Sequence, residues 1–375
     1  MKKRRMNQRG VEVVCHYPEY YRRFSCIGGQ CEATCCAGWR ISVDASSMKA
    51  YKRVRGDFGK RLRSAVNVRE QRFKTEKGHC PMLSPEGLCD IYRALGPDKM
   101  CRTCRIYPRH MEDYGALREY MLSLSCPEAA RLILGNEKPF AYQSRRRQLP
   151  ISAKEADAGI ALKDLRKIMK LRARIFQVLA RQQEPFWSRI GQMLCLAEGA
   201  AAKAETAQQN MAAPGSETAG AAGTPPGRCG EHCAPLAAQW LEVLWALEPV
   251  SQGWRPFLKE SFAILRSGKN CPGRRAAFEQ ECQEHIHYYE NLAAHYVYMY
   301  FAGAVYDGPA AVKARLAAFH VRVLHELHYA RWLAGTRGLA ALVEAVWIYS
   351  RQVDHSDTNL EALENLLLKF GQNIV

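Results

Sequence analysis

Ten of the 15 cysteines in this 375-residue chain lie at or before Cys126. Eight of those ten fall into tight groups: Cys26-x4-Cys31-x3-Cys35-Cys36, Cys80-x8-Cys89 and Cys101-x2-Cys104. Glycine and proline punctuate the runs between them, so the backbone can turn sharply enough for several sulfurs to converge. Closely spaced thiolates suit soft metals: sulfur ligands at about 2.3 Å surround zinc tetrahedrally, and four cysteines hold a 4Fe–4S cluster. Spacing does not choose between the two, and buried free thiols acting as small hydrophobes are a third reading. The adjacent pair Cys35-Cys36 would strain one simple tetrahedral ion, so one of them is expected to lie outside its ligand set or to serve a neighbouring site. Compartment favours metal over disulfide. The basic N-terminus has no apolar stretch behind it, no run of about 18 apolar residues exists, and the expected location is a reducing cytoplasm.

Charge follows the sulfur. Residues 1–110 hold 24 Lys/Arg against 10 Asp/Glu, which accounts for +14 of the formal +17 of the whole chain. With Tyr20, Tyr21, Phe24, Tyr51 and Phe73 interleaved, this composition raises nucleic-acid binding as a possibility. The charge surrounds the thiols and forms no extended stripe, so neither a nucleic-acid partner nor a membrane is expected. Lysine and arginine there would instead stabilise thiolates.

The fold expected is mainly α: a small irregular cysteine-rich metal-binding domain at 11–135, followed by an all-α domain at 236–375. Asp44 to Val68 reads as one or two basic helices, and Glu128 to Leu134 as a short helix with Pro127 in its first turn. Between the domains, 150–197 carries a helical stripe of Leu162, Leu165, Ile168, Leu171, Ile175 and Val178. Residues 198–235 are rich in Ala, Gly, Thr and Pro and read as a flexible insertion. The last helix shows Leu360, Leu363, Leu367 and Phe370, with Thr358 and Glu361 as its capping box. No strand signal stands out after residue 130.

The segments CIGGQCEATCCAGW (26–39), CPMLSPEGLCDIYRALGPDKMCRTCRIYPR (80–109) and LSCPEAARLIL (124–134) resemble the flagellin lysine-N-methylase family. That family sits within a wider group of proteins with a CxxCxxCC-type cysteine domain. The resemblance continues in YYENLAAHYVYMYF (288–301) and YSRQVDHSDTNLEALENLL (349–367), and so spans most of the chain outside the insertion. It implies an enzyme that methylates lysine ε-amines of flagellin, with S-adenosylmethionine as donor and an iron–sulfur cluster, 4Fe–4S by analogy. It also implies a candidate ligand set of Cys26, Cys31, Cys35, Cys36, Cys80, Cys89, Cys101 and Cys104, with Cys126 in reserve. The gaps before Cys31 and Cys35 are longer than in the wider group's motif, which leaves open which four bind. Neither a strand-GxGxG-helix signature nor a complete C-x3-C-x2-C motif is present, Gly38 standing where the third cysteine would be.

Donor contacts are expected from Glu290, Asn291, His355, Asp357 and Asn359, polar residues inside the two C-terminal matching blocks, although each could equally satisfy a helix core or terminus. Arg105 and Arg109 could grip an anion or cover the metal site. His285, His287, His320, His325 and His328 are expected to hydrogen-bond locally, and no essential role is expected of Cys229, His232 and Cys233. The competing function is a non-catalytic zinc-binding interaction module. Oligomeric state is not readable.

Overall fold

The computed structural model of the chain describes residues 11–76, 78–149, 162–212 and 238–370. It is mainly α, as the apolar spacing predicts. The first third is less irregular than expected, because it contributes a four-stranded sheet in the order β4-β5-β1-β6. Strand β1 (Val11–Pro18) runs parallel to β5 (Leu117–Leu122) and antiparallel to β6 (Tyr142–Leu149), while β4 (Arg109–Asp113) and β5 form a hairpin. The sequence YQSRRRQL of β6 shows no alternation because the strand is mostly exposed at the sheet edge, so no side-chain face is selected for burial. Gly115, at φ +74, closes the β4–β5 turn.

Between β1 and β4 the chain forms its own small core around Ile41, Val43, Leu62, Met82, Cys80 and Cys101. Helices α1 (Ala45–Lys52) and α2 (Gly56–Ala65) cover it, as the Asp44–Val68 reading predicts, and are followed by the short antiparallel pair β2 (Val66–Asn67) and β3 (Arg72–Phe73). Asp44 caps α1, accepting from the Ser47 amide at 3.0 Å. Helices α3 (Asp90–Leu95) and α4 (Arg102–Ile106) follow, and α5 (Pro127–Leu134) begins on Pro127 as expected.

The larger core belongs to the helices after residue 162. Helix α6 (Leu162–Leu179) buries Leu165, Leu171, Ile175 and Val178 of the expected stripe and leaves Leu162 exposed. Helix α7 (Phe186–Ala212) runs on through residues 198–212, so the first part of the expected insertion is helical. The remainder, with Cys229, His232 and Cys233, lies outside the described residues. Then come α8 (Ala238–Ala246), α9 (Trp254–Leu265), α10 (Pro272–Glu284), α11 (His287–Tyr300), α12 (Ala310–Ala334), α13 (Gly338–Val353) and α14 (Asp357–Phe370). Helix α12 is buried almost throughout, its buried charges paired (Lys313 with Glu364, Glu326 with Arg275), with α7, α9, α11, α13 and α14 packed around it. The cap of α14 is Ser356, whose Oγ accepts from the Asn359 amide at 3.2 Å, two residues before the expected Thr358.

Sheet and helices are joined by a buried ion pair. Glu119 of β5 takes two hydrogen bonds from Arg172 of α6, at 2.6 and 2.5 Å, and lies 2.8 Å from His16 Nδ1 of β1. Burial alone would raise the Glu119 carboxyl, but the Arg172 guanidinium and His16 overcome it and hold the group below its ordinary value. Arg172 spends another N–H on the Tyr298 carbonyl at 3.2 Å. Removing one partner leaves the other charge buried and uncompensated. Glu119→Gln should therefore cost about 3–5 kcal/mol, read as a lowered denaturation midpoint. Because the folded pKa is depressed, the stabilisation is present above the unfolded carboxylate pKa and is lost as pH falls through the folded value. The variant should flatten that acid-side loss; an unchanged midpoint would contradict the assignment.

Candidate functional site

The three cysteine groups meet in the small core. Cys36 lies within hydrogen-bonding reach of both Cys35 and Cys89, Cys101 likewise of Cys104, and Cys80 adjoins Cys35, Cys89 and Cys101. Their backbones set this up. The Cys80 amide donates to the Cys36 carbonyl at 2.7 Å, the Asp90 amide to Met82 O at 2.8 Å, and Cys101 Sγ to Ser42 O at 3.5 Å. The hydrogen bond from Cys36 draws the Cys35 thiol down to about 7 and the Cys89 thiol to about 6, despite burial. Cys36 itself is pushed up by its two sulfur neighbours, and Cys104 by Cys101. Cys26 and Cys31 stand apart in the preceding loop, Cys26 exposed and Cys31 donating to the Ala33 carbonyl at 3.4 Å. Cys126 is buried at the start of α5, its thiol pushed up to about 11 by burial.

All cysteines among the described residues are free thiols. The donor chemistry of the six converging sulfurs suits a thiophilic metal. Their arrangement is two hydrogen-bonded sets, and among the described residues no group of three or more His, Cys, Asp or Glu side chains is disposed to hold a metal ion.

The thiol loop is fastened to the C-terminal helices. Arg351, near the end of α13 and 5% exposed, donates through Nε to Ser125 O at 3.0 Å. Through Nη2 it donates to Ala33 O at 2.7 Å and Thr34 O at 3.4 Å. Its guanidinium stacks over Trp347 and helps lower the Cys35 thiol. Close approach is possible because Gly38 and Gly78 are at φ +82 and +84, where a Cβ at Gly78 would come within 2.8 Å of the Gln252 side chain. Beside this clamp Trp39 stacks on His355, ring centroids 4.8 Å apart, and Trp39 Nε1 donates to Cys35 O at 2.7 Å. Ser125 Oγ shares hydrogen bonds with His355 Nε2 at 2.9 Å, Tyr107 at 3.0 Å and Ser123 at 2.7 Å. Burial, then the nearby Arg351 charge, pushes His355 down to about 4, so its ring is neutral at pH 7.

One residue earlier lies Asp354. The Tyr300 hydroxyl donates to its Oδ1 at 2.7 Å, while Oδ2 is closed to solvent and has no hydrogen-bond partner. Burial raises this carboxyl to about 7, against smaller lowering effects from Tyr300, His110 and Ser350. Sequence reading passed over both Arg351 and Asp354. Their only local signal is polarity at the buried end of an apolar helix.

The other expected donor contacts are differently employed. Glu290 pairs with Arg189 at 2.6 Å, and Asn291 donates to the Leu134 and Asn136 carbonyls, holding α11 against the end of α5. Asn359 bonds Glu248 N, Glu248 O and Gln352 O, all near 2.9 Å, and Asp357 is exposed in the first turn of α14. Of the five, the structure brings only His355 to the junction with the thiol loop. Arg109 is occupied by the Phe24 carbonyl and lies over the Tyr21 and Phe24 rings. His320 bonds Tyr349 and His328 bonds Tyr289, each at 2.7 Å, the local pairing expected of helix histidines. Away from the junction, a groove of ≈ 490 Å³ between α8 and α9 is lined by Leu241, Trp245, Phe262, Lys259 and Arg266.

Residues 236–373, which carry Arg351, Asp354, His355 and Tyr300, match the FliB lysine N-methylase C-terminal domain. The chain therefore carries a FliB lysine N-methylase C-terminal domain over its last third. Among curated relatives, a lysine-N-methylase of Salmonella typhimurium is 27% identical over 143 residues, 36% of each chain. The flagellar biosynthetic protein FliU of Salmonella muenchen is 28% identical over 145 residues, 36% of this chain and 85% of that protein. The match thus spans about a third of the length of the Salmonella lysine-N-methylase. No solved structure matches the chain. No helix among the described residues is long and apolar enough to cross a membrane.

The clamp gives a direct expectation. Arg351→Met removes three hydrogen bonds to the Ala33, Thr34 and Ser125 carbonyls, leaving Ala33 O only the weak Cys31 thiol as donor, so the 31–39 loop should exchange its amide hydrogens faster, with α9 and α12 unaffected. Uniform exchange across the chain, or none, would contradict the role given to Arg351.

Proposed function

We propose that this protein is a protein lysine N-methyltransferase that uses S-adenosylmethionine and acts on flagellin, in the cytoplasm, with an iron–sulfur cluster among its cysteines. The observation that carries the reading is the FliB lysine N-methylase domain itself, together with the position of its α13 terminus against the thiol loop. The relatives' names, lysine-N-methylase and flagellar biosynthetic protein, support the reaction and the flagellar substrate.

The candidate holders of the cluster are the six converging thiols, Cys35, Cys36, Cys80, Cys89, Cys101 and Cys104. When bound, the donor supplies a methyl group made electrophilic by its sulfonium. The chain's own residues do the rest. Trp39 and the neutral His355 offer a flat stacked surface, Tyr107 and Ser125 offer hydroxyl hydrogen bonds, and Arg351 keeps the two parts in register. A substrate lysine must be deprotonated before its nitrogen can attack, and a poorly hydrated site favours the neutral amine.

Incubating anaerobically purified protein with deuteromethyl-labelled S-adenosylmethionine and flagellin should add labelled methyl groups to flagellin lysines, seen by peptide mass spectrometry. Folded, metal-loaded protein that adds none would contradict the reading. The same preparation should contain iron and acid-labile sulfide, which Cys36→Ala and Cys89→Ala should reduce and Cys282→Ala should leave unchanged. Colourless protein with stoichiometric zinc would instead favour an interaction module.

A further inference from the structure

Among the buried ionisable groups, Asp354 differs from the rest. The buried histidines are each tied to a tyrosine or a carboxylate, and Glu119, Glu326 and Glu290 are each paired with arginine. Asp354 has no cationic side chain bonded to it, and one of its oxygens is unused.

We propose that Asp354 is the general base of methyl transfer: its free Oδ2 takes the proton from the ε-ammonium of the substrate lysine. This rests on the methyltransferase reading above. The groups facing Asp354 fit the task. From α11 come Tyr300, bonded to Oδ1, and Tyr296, stacked on Tyr300 at 6.0 Å; from α12 comes His320, with its ring 5.5 Å from that of Tyr300. From β4 comes exposed His110, itself bonded to Glu112 at 2.5 Å. Its own helix supplies Ser350 and Tyr349. Tyrosine rings beside one carboxylate form the kind of surface that attracts a lysine ammonium before transfer and a methylammonium after it. His110 marks the solvent side from which a lysine would enter. The buried His320 is neutral at pH 7, burial having pushed it down to about 3, and so does not compete for the carboxylate.

The chemistry balances. The ammonium N–H bond breaks and its proton passes to Oδ2, leaving a neutral amine. The nitrogen lone pair then forms an N–CH3 bond as the methyl–sulfur bond of the sulfonium donor breaks, its electron pair staying on sulfur to give a neutral thioether. The positive charge moves from sulfur to nitrogen. Because Oδ2 is closed to solvent in the free protein, the carboxylic acid returns its proton through the opening that the lysine makes as it enters and leaves on the His110 side. A carboxyl that titrates near neutrality is ionised often enough to accept and weak enough as an acid to hold the proton briefly.

The test uses the anaerobic, metal-loaded enzyme with S-adenosylmethionine and flagellin. Asp354→Asn, nearly isosteric, should lower kcat by about 100-fold or more while donor affinity, measured by calorimetry, stays within about twofold. Wild-type kcat should rise with pH through a single ionisation near neutrality, a limb absent from the variant. Tyr300→Phe removes a hydrogen bond that favours the carboxylate, so the limb should move to higher pH. Independently of turnover, infrared difference spectra should show a carboxylic-acid band titrating in that range in wild type and missing in Asp354→Asn. Should Asp354→Asn fail to fold, the Tyr300→Phe limb and the wild-type infrared titration decide. A folded Asp354→Asn with wild-type kcat and profile would overturn the assignment and leave the methyltransferase reading standing, as would an unmoved limb in Tyr300→Phe with no titrating band. Wild-type enzyme that transfers no methyl group would sink both.

Discussion

Three carbonyl oxygens, of Ala33, Thr34 and Ser125, point at one guanidinium, and the rest of the arrangement depends on that meeting. Arg351 is the basic residue in the last turn of a helix that buries mostly apolar side chains. Its charge would be costly to bury without these acceptors, and the acceptors would be costly to bury without it. The pairing therefore fixes the thiol loop against α13 within narrow limits. It also places Trp39 on His355 and sets Asp354 one residue beyond, so the cysteine core and the methylase-family domain share one boundary. Arginine serves here where lysine would not, because its planar fork can address carbonyls from two chain segments at once.

The same boundary shows what could be read from the sequence. Cysteine spacing announced the thiol core because the signal is local: short gaps, with glycine and proline between. Helical stripes announced α6 and α14 for the same reason. The sheet was missed because β1 and β5 lie some hundred residues apart, and β6 is too exposed to alternate. The role of Arg351 could not be read at all, its partners lying 226 and 318 residues away and being main-chain atoms that any residue type supplies. Asp354 was hidden in plain view inside the DHSD segment, where capping chemistry offered a sufficient explanation for every polar residue. Ser356 and Asn359 do cap and brace as that explanation requires. What sets Asp354 apart is an unused oxygen, and only packing reveals that.

Burial around the site sorts the ionisable groups by task. Neutral His295, His320 and His328, all pushed down to about 3 by burial, act as hydrogen-bonding core residues with tyrosine partners. Paired carboxylates are held ionised by their neighbours, Glu119 by Arg172 and His16 and Glu326 by His325 and Arg275, and brace the frame. Asp354 alone among the described carboxylates is raised to about 7. Groups whose environments push their pKa values in opposite directions are the usual mark of an acid–base division of labour.

The central claim is that donor and lysine meet where α13 touches the thiol loop. A crystal structure of the anaerobic, metal-loaded protein with S-adenosylhomocysteine and a lysine peptide tests it most directly. The account predicts the thioether ligand beside Trp39 and His355, with the lysine nitrogen within hydrogen-bonding distance of Asp354. Ligand bound instead in the groove between α8 and α9, with Asp354 still sealed from it, would contradict it.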